Sequence, residues 1–203
     1  LINESFNTAS GATMPAGWAS QNLSNPIGSN TAGWNTFTSS PWAANTAPNH
    51  VGANFNCTTG NNTISAWLFA PNVNLNNGDV LTFYTRTNDV VAFADRLEVR
   101  MSTNGASINA GATNTSVGDF TTLLLTVNPT LNTSDYPVVF TQFSATLSGL
   151  PGAGVSGRIA FRYFVTNGGP SGINSDIISI DDVVLTTAAV TGPLCTGSAI
   201  NAT

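Results

Sequence analysis

The stretch Ser175-Asp176-Ile177-Ile178-Ser179-Ile180-Asp181-Asp182-Val183-Val184-Leu185 decides how this chain is read. It alternates as a β-strand does through Ile178, Ile180 and Asp182, then sets two adjacent carboxylates into an apolar, β-branched run. A carboxylate inside a strand must be paired, hydrogen-bonded or bound to a cation, because burial of a bare charge is costly. Two together, in a chain with only 7% charged residues against roughly 25% in an average soluble protein, need a physical reason. The pair is read as holding a structural cation where a β-sandwich closes.

Working outward, the first residues repeat the oddity. Leu1 to Phe6 reads as a short strand with Ile2, Glu4 and Phe6 on one face, so that a carboxylate again stands among core side chains. Glu4 is expected to meet the Asp181–Asp182 pair. Calcium takes six to eight oxygen ligands, which these carboxylates and backbone carbonyls of Asn-rich loops can supply. The competing reading is that Asp182 caps backbone N–H groups and Asp181 is merely exposed.

Between these ends the strands are regular. Thr63 to Phe69 ends at Pro71, and Val80 to Thr85 follows the turn Asn76-Asn77-Gly78-Asp79. In Asp95 to Met101, Leu97, Val99 and Met101 face inward, while Arg96, Glu98 and Arg100 face outward to pair across strands. Further strands run from Phe120 to Val127, Val138 to Leu147, Gly157 to Thr166 and Asp176 to Thr186. From Ala19 to Asn62 the chain is rich in Asn, Ser, Thr and Gly, and is either a functional loop region or a meander of short strands. No window carries a helical period. The pattern predicts an all-β fold, a jelly-roll-type antiparallel β-sandwich in a single domain over 1–187. Residues 188–203 read as a C-terminal tail or linker, with a strand donated to a neighbour as the alternative.

Composition excludes several functions. The net charge of −5, with five Arg and no Lys, argues against nucleic acid, which needs a clustered basic face. No run approaches the ~18 apolar residues of a transmembrane segment. His50 is the sole His and sits in a loop without a nucleophile motif, so catalysis is not expected. A pair of carboxylates such as Asp95 and Asp181 is conceivable for glycoside hydrolysis, but ion pairing or a cation explains both more simply. Cys57 and Cys195 fit no CxxC motif; a disulfide within the chain, one between chains, and free thiols all stay open. Asn-x-Ser/Thr sequons at Asn3, Asn22, Asn56, Asn61, Asn114, Asn132 and Asn201 are what an Asn- and Thr-rich chain produces by chance. Trp42, in Ser39-Ser40-Pro41-Trp42-Ala43, reads either as an exposed ligand-stacking platform or as part of a loop tucked over a sheet.

Taken in order, Glu4-Ser5-Phe6, Pro15-Ala16-Gly17-Trp18, Gly33-Trp34, Trp67-Leu68, Ala70-Pro71, Leu81-Thr82-Phe83, Asp95-Arg96-Leu97-Glu98-Val99, Phe120-Thr121, Leu123, Ile159-Ala160-Phe161-Arg162-Tyr163 and Ile180-Asp181-Asp182-Val183 resemble the cleaved-adhesin and choice-of-anchor J domains of bacterial secreted proteins. That family is in turn similar to MAM domains. The resemblance implies a jelly roll, a secreted or cell-surface location, and a non-enzymatic role in cell adhesion through a glycan or a matrix protein. It implies a place in the core for Trp18, Trp34 and Trp67, large apolar side chains at family positions. It also implies a structural Ca²⁺ held, by position, by Glu4 and Asp181 or Asp182, with Asp95 matching a further recurrent acidic position. The alternative, motivated by the near-absence of charge and the apolar tail, is self-assembly with other copies into an extracellular filament or surface layer. A secreted hydrolase ranks below both.

Overall fold

The last strand is the member around which the first sheet is laid. In the computed structural model, which describes residues 1–187, β1 (Ile2–Glu4), β2 (Ala19–Asn22), β3 (Asn35–Phe37), β4 (His50–Asn54), β5 (Asn62–Phe69) and β6 (Val73–Leu75) are followed by β7 (Val80–Arg86), β8 (Leu97–Ser102), β9 (Thr122–Val127), β10 (Thr141–Thr146), β11 (Val155–Gly168) and β12 (Ile177–Thr186). Two antiparallel sheets result. One runs β10-β7-β12-β4-β3 with β1 also on β12, and the other runs β2-β5-β11-β8-β9 with β6 also on β11. This is the expected jelly-roll-type β-sandwich. The supposed loop region from Ala19 to Asn62 contributes β2, β3 and β4, so it is a meander of short strands joined by long connections. The tail 188–203, and with it Cys195, lies outside the described residues.

The Asp pair marks a break in β12. Ile177–Ile180 pairs with β4 and Val183–Leu185 pairs with β1, so β4 and β1 lie end to end along one flank of β12. On the other flank the register with β7 slips between Asp181 and Val184, and Asp182 has φ +47°. This bulge corrects the simple alternation. An unbroken strand carrying Ile178 and Ile180 inward would also turn Asp182 inward and Val183 outward. One extra residue restores the phase, so that Val183 and Leu185 are fully buried and the carboxylates are not in the core. Glu4 ends β1 opposite Val183, and Phe6 leaves the strand at φ +56°, its N–H donating to Glu4 Oε1 at 2.7 Å.

Between the sheets an aromatic chain sets the spacing. Phe6 meets Trp18 edge-on at 4.9 Å, Trp18 stacks on Phe161 at 6.4 Å, and Phe161 meets Phe83 edge-on at 5.1 Å. Phe83 lies on β7 and Phe161 on β11, so this contact joins the two sheets. Each such side chain is worth about 1.5–3 kcal/mol of burial. Ile159, Phe161, Tyr163 and Val165 of β11 all point inward and are fully buried.

Arg96, Glu98 and Arg100 face outward and Glu98 pairs across strands as expected, but the outer face of the second sheet is itself covered. Trp67, Phe69 and Ala160 form a second apolar cluster with Ala110 and Phe120, which come from the long segment between β8 and β9. Trp34 is core and Trp67 is buried, but in this outer cluster. Beside it the Arg162 guanidinium packs between the rings of Trp67 (4.9 Å) and Phe164 (3.7 Å), with Arg96 also over Phe164 (4.6 Å). Glu98 Oε2 pairs with Arg100 Nε at 2.8 Å and Arg162 Nη1 at 3.2 Å. Arg162 is 1% exposed and needs that partner.

Candidate functional site

Asp181 and Asp182 occupy the corner where β1 ends and β4 begins, and their oxygens hold the segment 38–49 against the sheet. Asp181 Oδ2 accepts the Thr46 N–H at 3.0 Å and its Oδ1 accepts the Asp182 N–H at 2.8 Å. Asp182 Oδ2 accepts Asn45 Nδ2 at 2.7 Å and Thr46 Oγ1 at 2.8 Å. Asp181 is fully buried, and burial pushes its carboxyl up to about 7, with the Asp182 charge acting in the same direction. The capping of backbone N–H groups therefore falls on Asp181, which is not exposed, while Asp182 accepts from side chains alone among the described residues.

The oxygen chemistry of Glu4, Asp181, Asp182, Asn45 and Thr46 suits a hard cation. Their present arrangement is a set of hydrogen bonds, with Glu4 Oε1 turned to its own strand end. Among the described residues no three acidic, His or Cys side chains converge on a common point. Asp95 is not part of this corner. It is fully buried where β12 begins, accepting from Tyr163 Oη (2.5 Å), Thr87 Oγ1 (2.6 Å) and the Asp176 N–H (2.9 Å). Asp95 accepts from the Asp176 N–H just before β12, whereas Glu4 pairs with Val183 beyond the bulge, so the two carboxylates are well separated along that strand. Burial raises Asp95 to about 6.

Trp42 is not an exposed platform. It is 7% exposed, lying on the outer face of the first sheet with its ring 6.2 Å from His50 and the Arg86 guanidinium 4.3 Å above it. His50 stacks on Phe37 at 5.7 Å on its other side and meets Phe140 edge-on at 5.7 Å. His50 is fully buried and burial lowers its pKa, with Arg86 adding to the effect, which keeps the ring neutral. The tucked-loop alternative describes this segment.

Next to Phe37 opens a groove of about 420 Å³ lined by Ser29, Asn30, Thr31, Asn35, Asn54 and Asn56, with Ala12 and Ala32 at its margin. Its walls come from the segment before β3 and from the end of β4. Asn30 organises it: Nδ2 donates to Gly33 O at 2.8 Å, while Oδ1 accepts Asn35 Nδ2 at 2.7 Å and the Gly33 N–H at 3.2 Å. Asn54 Oδ1 accepts the Asn56 N–H at 3.1 Å. No charged side chain lines it. A half-buried aromatic ring beside carboxamides and hydroxyls suits a neutral, polyhydroxylated ligand, which offers an apolar face and a rim of donors and acceptors. The sequence reading did not single out these residues. The alternation Asn35-Thr36-Phe37 within an amide-rich run was the available signal, but only the pairing of β3 on β4 brings Asn35 and Phe37 beside Asn54.

Cys57 backs this groove, fully buried, with Asn30 Nδ2 3.4 Å from its Sγ; burial pushes the thiol up to about 12. Of the sequons, Asn22 is 6% exposed and its Nδ2 donates to Cys57 O at 2.7 Å, so it is no glycan acceptor in the folded protein.

The fold is that of a cleaved-adhesin-like β-sandwich. The structure is similar to the K1 cleaved adhesin domain of Lys-gingipain from Porphyromonas gingivalis, with a TM-score of 0.60 and 20% identity over 93% of this chain and 98% of that one. The K3 domain of the same protein gives 0.57 and 20%, over 91% and 96%. TmCBM61, solved in complex with β-1,4-galactotriose, gives 0.51 and 13%, over 92% and 96%. The sequence matches no family model, and no curated protein matches it. No helix among the described residues is long and apolar enough to cross a membrane.

Proposed function

We propose that this protein is a secreted, non-enzymatic β-sandwich module of the adhesin type that binds a neutral glycan in the groove between Phe37 and Asn56. The observation that carries the reading is the uncharged groove itself, with four Asn side chains set around one aromatic ring. The likeness in fold to adhesin domains and to a carbohydrate-binding module supports it. A glycan array of neutral oligosaccharides, β-1,4-galactotriose among them, tests it with the Asn35→Ala variant as control. Binding lost in the variant is expected; equal binding by both proteins, or none by either, rejects the groove.

A structural Ca²⁺ held by Glu4, Asp181 and Asp182 belongs to the same proposal. What supports it is the buried Asp181 carboxyl beside a second carboxylate with no basic side chain hydrogen-bonded to either. Thermal unfolding with calcium and with chelator tests it, and an unchanged midpoint rejects it.

Self-assembly is the second reading, favoured by exposed Val90, Phe93 and Ile173. These sit on the β7–β8 and β11–β12 connections, which meet around a pocket lined by Phe55, Phe93 and Pro170. Size-exclusion chromatography and electron microscopy test this reading, and a monomer at all concentrations rejects it.

A further inference from the structure

Beneath the segment 38–49 lie three polar atoms without a hydrogen-bond partner: Trp42 Nε1, His50 Nδ1 and Ser179 Oγ. All three residues are more than nine-tenths buried. Leaving a buried polar group unpaired is costly, so three together at one segment make a poor resting place for an indole. With His50 Nε2 against the Trp42 carbonyl at 3.2 Å as donor, Nδ1 is left as an acceptor. An indole can satisfy neither that nitrogen nor a serine hydroxyl through its ring face.

The covered surface is continuous with the groove. Phe37 lines the groove and is also the first plane of the stack Phe37, His50, Trp42 and Arg86, whose three rings lie within 17° of parallel from one to the next. Gly52 keeps the floor between them flat, since a Cβ there would stand 2.6 Å from Ile178 O and 3.0 Å from the Phe37 ring. Ser179 is the register partner of Gly52 on one side and of Arg86 on the other. Apart from the Trp42 contacts, the segment is tied to the Asp pair through Asn45 and Thr46, both exposed, and its far end is fixed by Asn49, which donates to Asn7 and Ala9 and so serves as the base about which the rest would swing.

We infer that segment 38–49 is a displaceable cover, and that the surface beneath it extends the groove as a second subsite for a pyranose ring of a neutral oligosaccharide. In the open form the sugar takes the place of the Trp42 indole between His50 and Arg86. Its apolar face lies on the imidazole, and its hydroxyls meet His50 Nδ1 and Ser179 Oγ. This rests on the groove being a glycan site, and the test separates the two.

Wild type, Trp42→Ala and Asn35→Ala are compared on one array of neutral oligosaccharides graded by length, with folding checked by circular dichroism. Removal of the indole is expected to tighten binding of the longer chains by about tenfold or more, with the shortest binders unchanged. Wild-type binding that is unchanged or weakened in Trp42→Ala overturns the cover while leaving the groove intact. Binding by Trp42→Ala alone upholds the cover and rejects the groove as sufficient. No binding by any of the three overturns both. Should Trp42→Ala fail to fold, hydrogen exchange of the Thr46 amide in the wild type decides. Saturation with the longest chain that binds is expected to speed that exchange, and an unchanged or slowed rate overturns the cover, as does the absence of any chain that binds.

Discussion

Asp181 Oδ2 accepts the backbone N–H of Thr46 at 3.0 Å, so the last strand pins the segment that crosses the outer face of its own sheet. The bond spans 135 positions of sequence and exists because β12 bulges where β4 ends and β1 begins. Replacing Asp181 by Ala removes the acceptor for two backbone amides, those of Thr46 and Asp182, and is expected to destabilise by about 1–3 kcal/mol. The loss should appear in denaturant midpoints and as faster hydrogen exchange at Thr46. An exchange rate unchanged at Thr46 would sink the anchoring role.

Stability is expected to fall as pH rises from about 5 to about 8. Asp181 near 7 and Asp95 near 6 both titrate above the ordinary carboxylate range in the folded chain, because burial disfavours their charged forms. The folded state therefore binds more protons than the unfolded state across that window, and loses stability as the protons leave. His50 acts oppositely at the acid end, since burial lowers its pKa and the folded state resists protonation there. Asp95→Asn keeps an acceptor for Tyr163 and should make the slope shallower. A slope identical to wild type would refute the assignment.

Calcium held at this corner, as proposed, is expected to reverse the Asp181 contribution. A bound cation favours the ionised carboxylate, so saturating Ca²⁺ should raise the melting temperature most at the alkaline end of the range. Asp182→Asn is expected to abolish the calcium response, read by calorimetry. Retention of full affinity in that variant would remove Asp182 from the site.

Glu98 is expected to matter for stability far more than a surface carboxylate. It is the partner of Arg162, which is 1% exposed and whose pKa burial brings down to about 10. Glu98→Ala leaves a buried guanidinium unpaired and should cost about 3 kcal/mol or more. Asp135→Ala, which removes an exposed carboxylate that accepts from Ser134 Oγ, serves as control and should cost under about 1 kcal/mol.

Much of the scaffold was legible before any coordinates. The period of two in Leu97, Val99 and Met101 told inside from outside, because a strand half-buried in a sandwich must alternate. The phase of β12 was not read correctly past Ile180. A period of two cannot register an extra residue, and the bulge shows itself only when Val183 and Leu185 are seen to share the inner face with Ile178. Arg96, Glu98 and Arg100 were placed outward, which is their direction, but what covers them comes from the connection between β8 and β9.

The sequence by itself determined the sandwich and the inward faces of its unbroken strands, which follow from local alternation and the need to bury apolar surface. Only the tertiary structure decided which outer faces are roofed and where a groove stays open. Trp42 and Asn35 come from polar, aperiodic runs, and their environment depends on which distant strand each segment crosses. Backbone periodicity carries no information about that, so the candidate site became visible only once β3, β4 and β12 lay side by side.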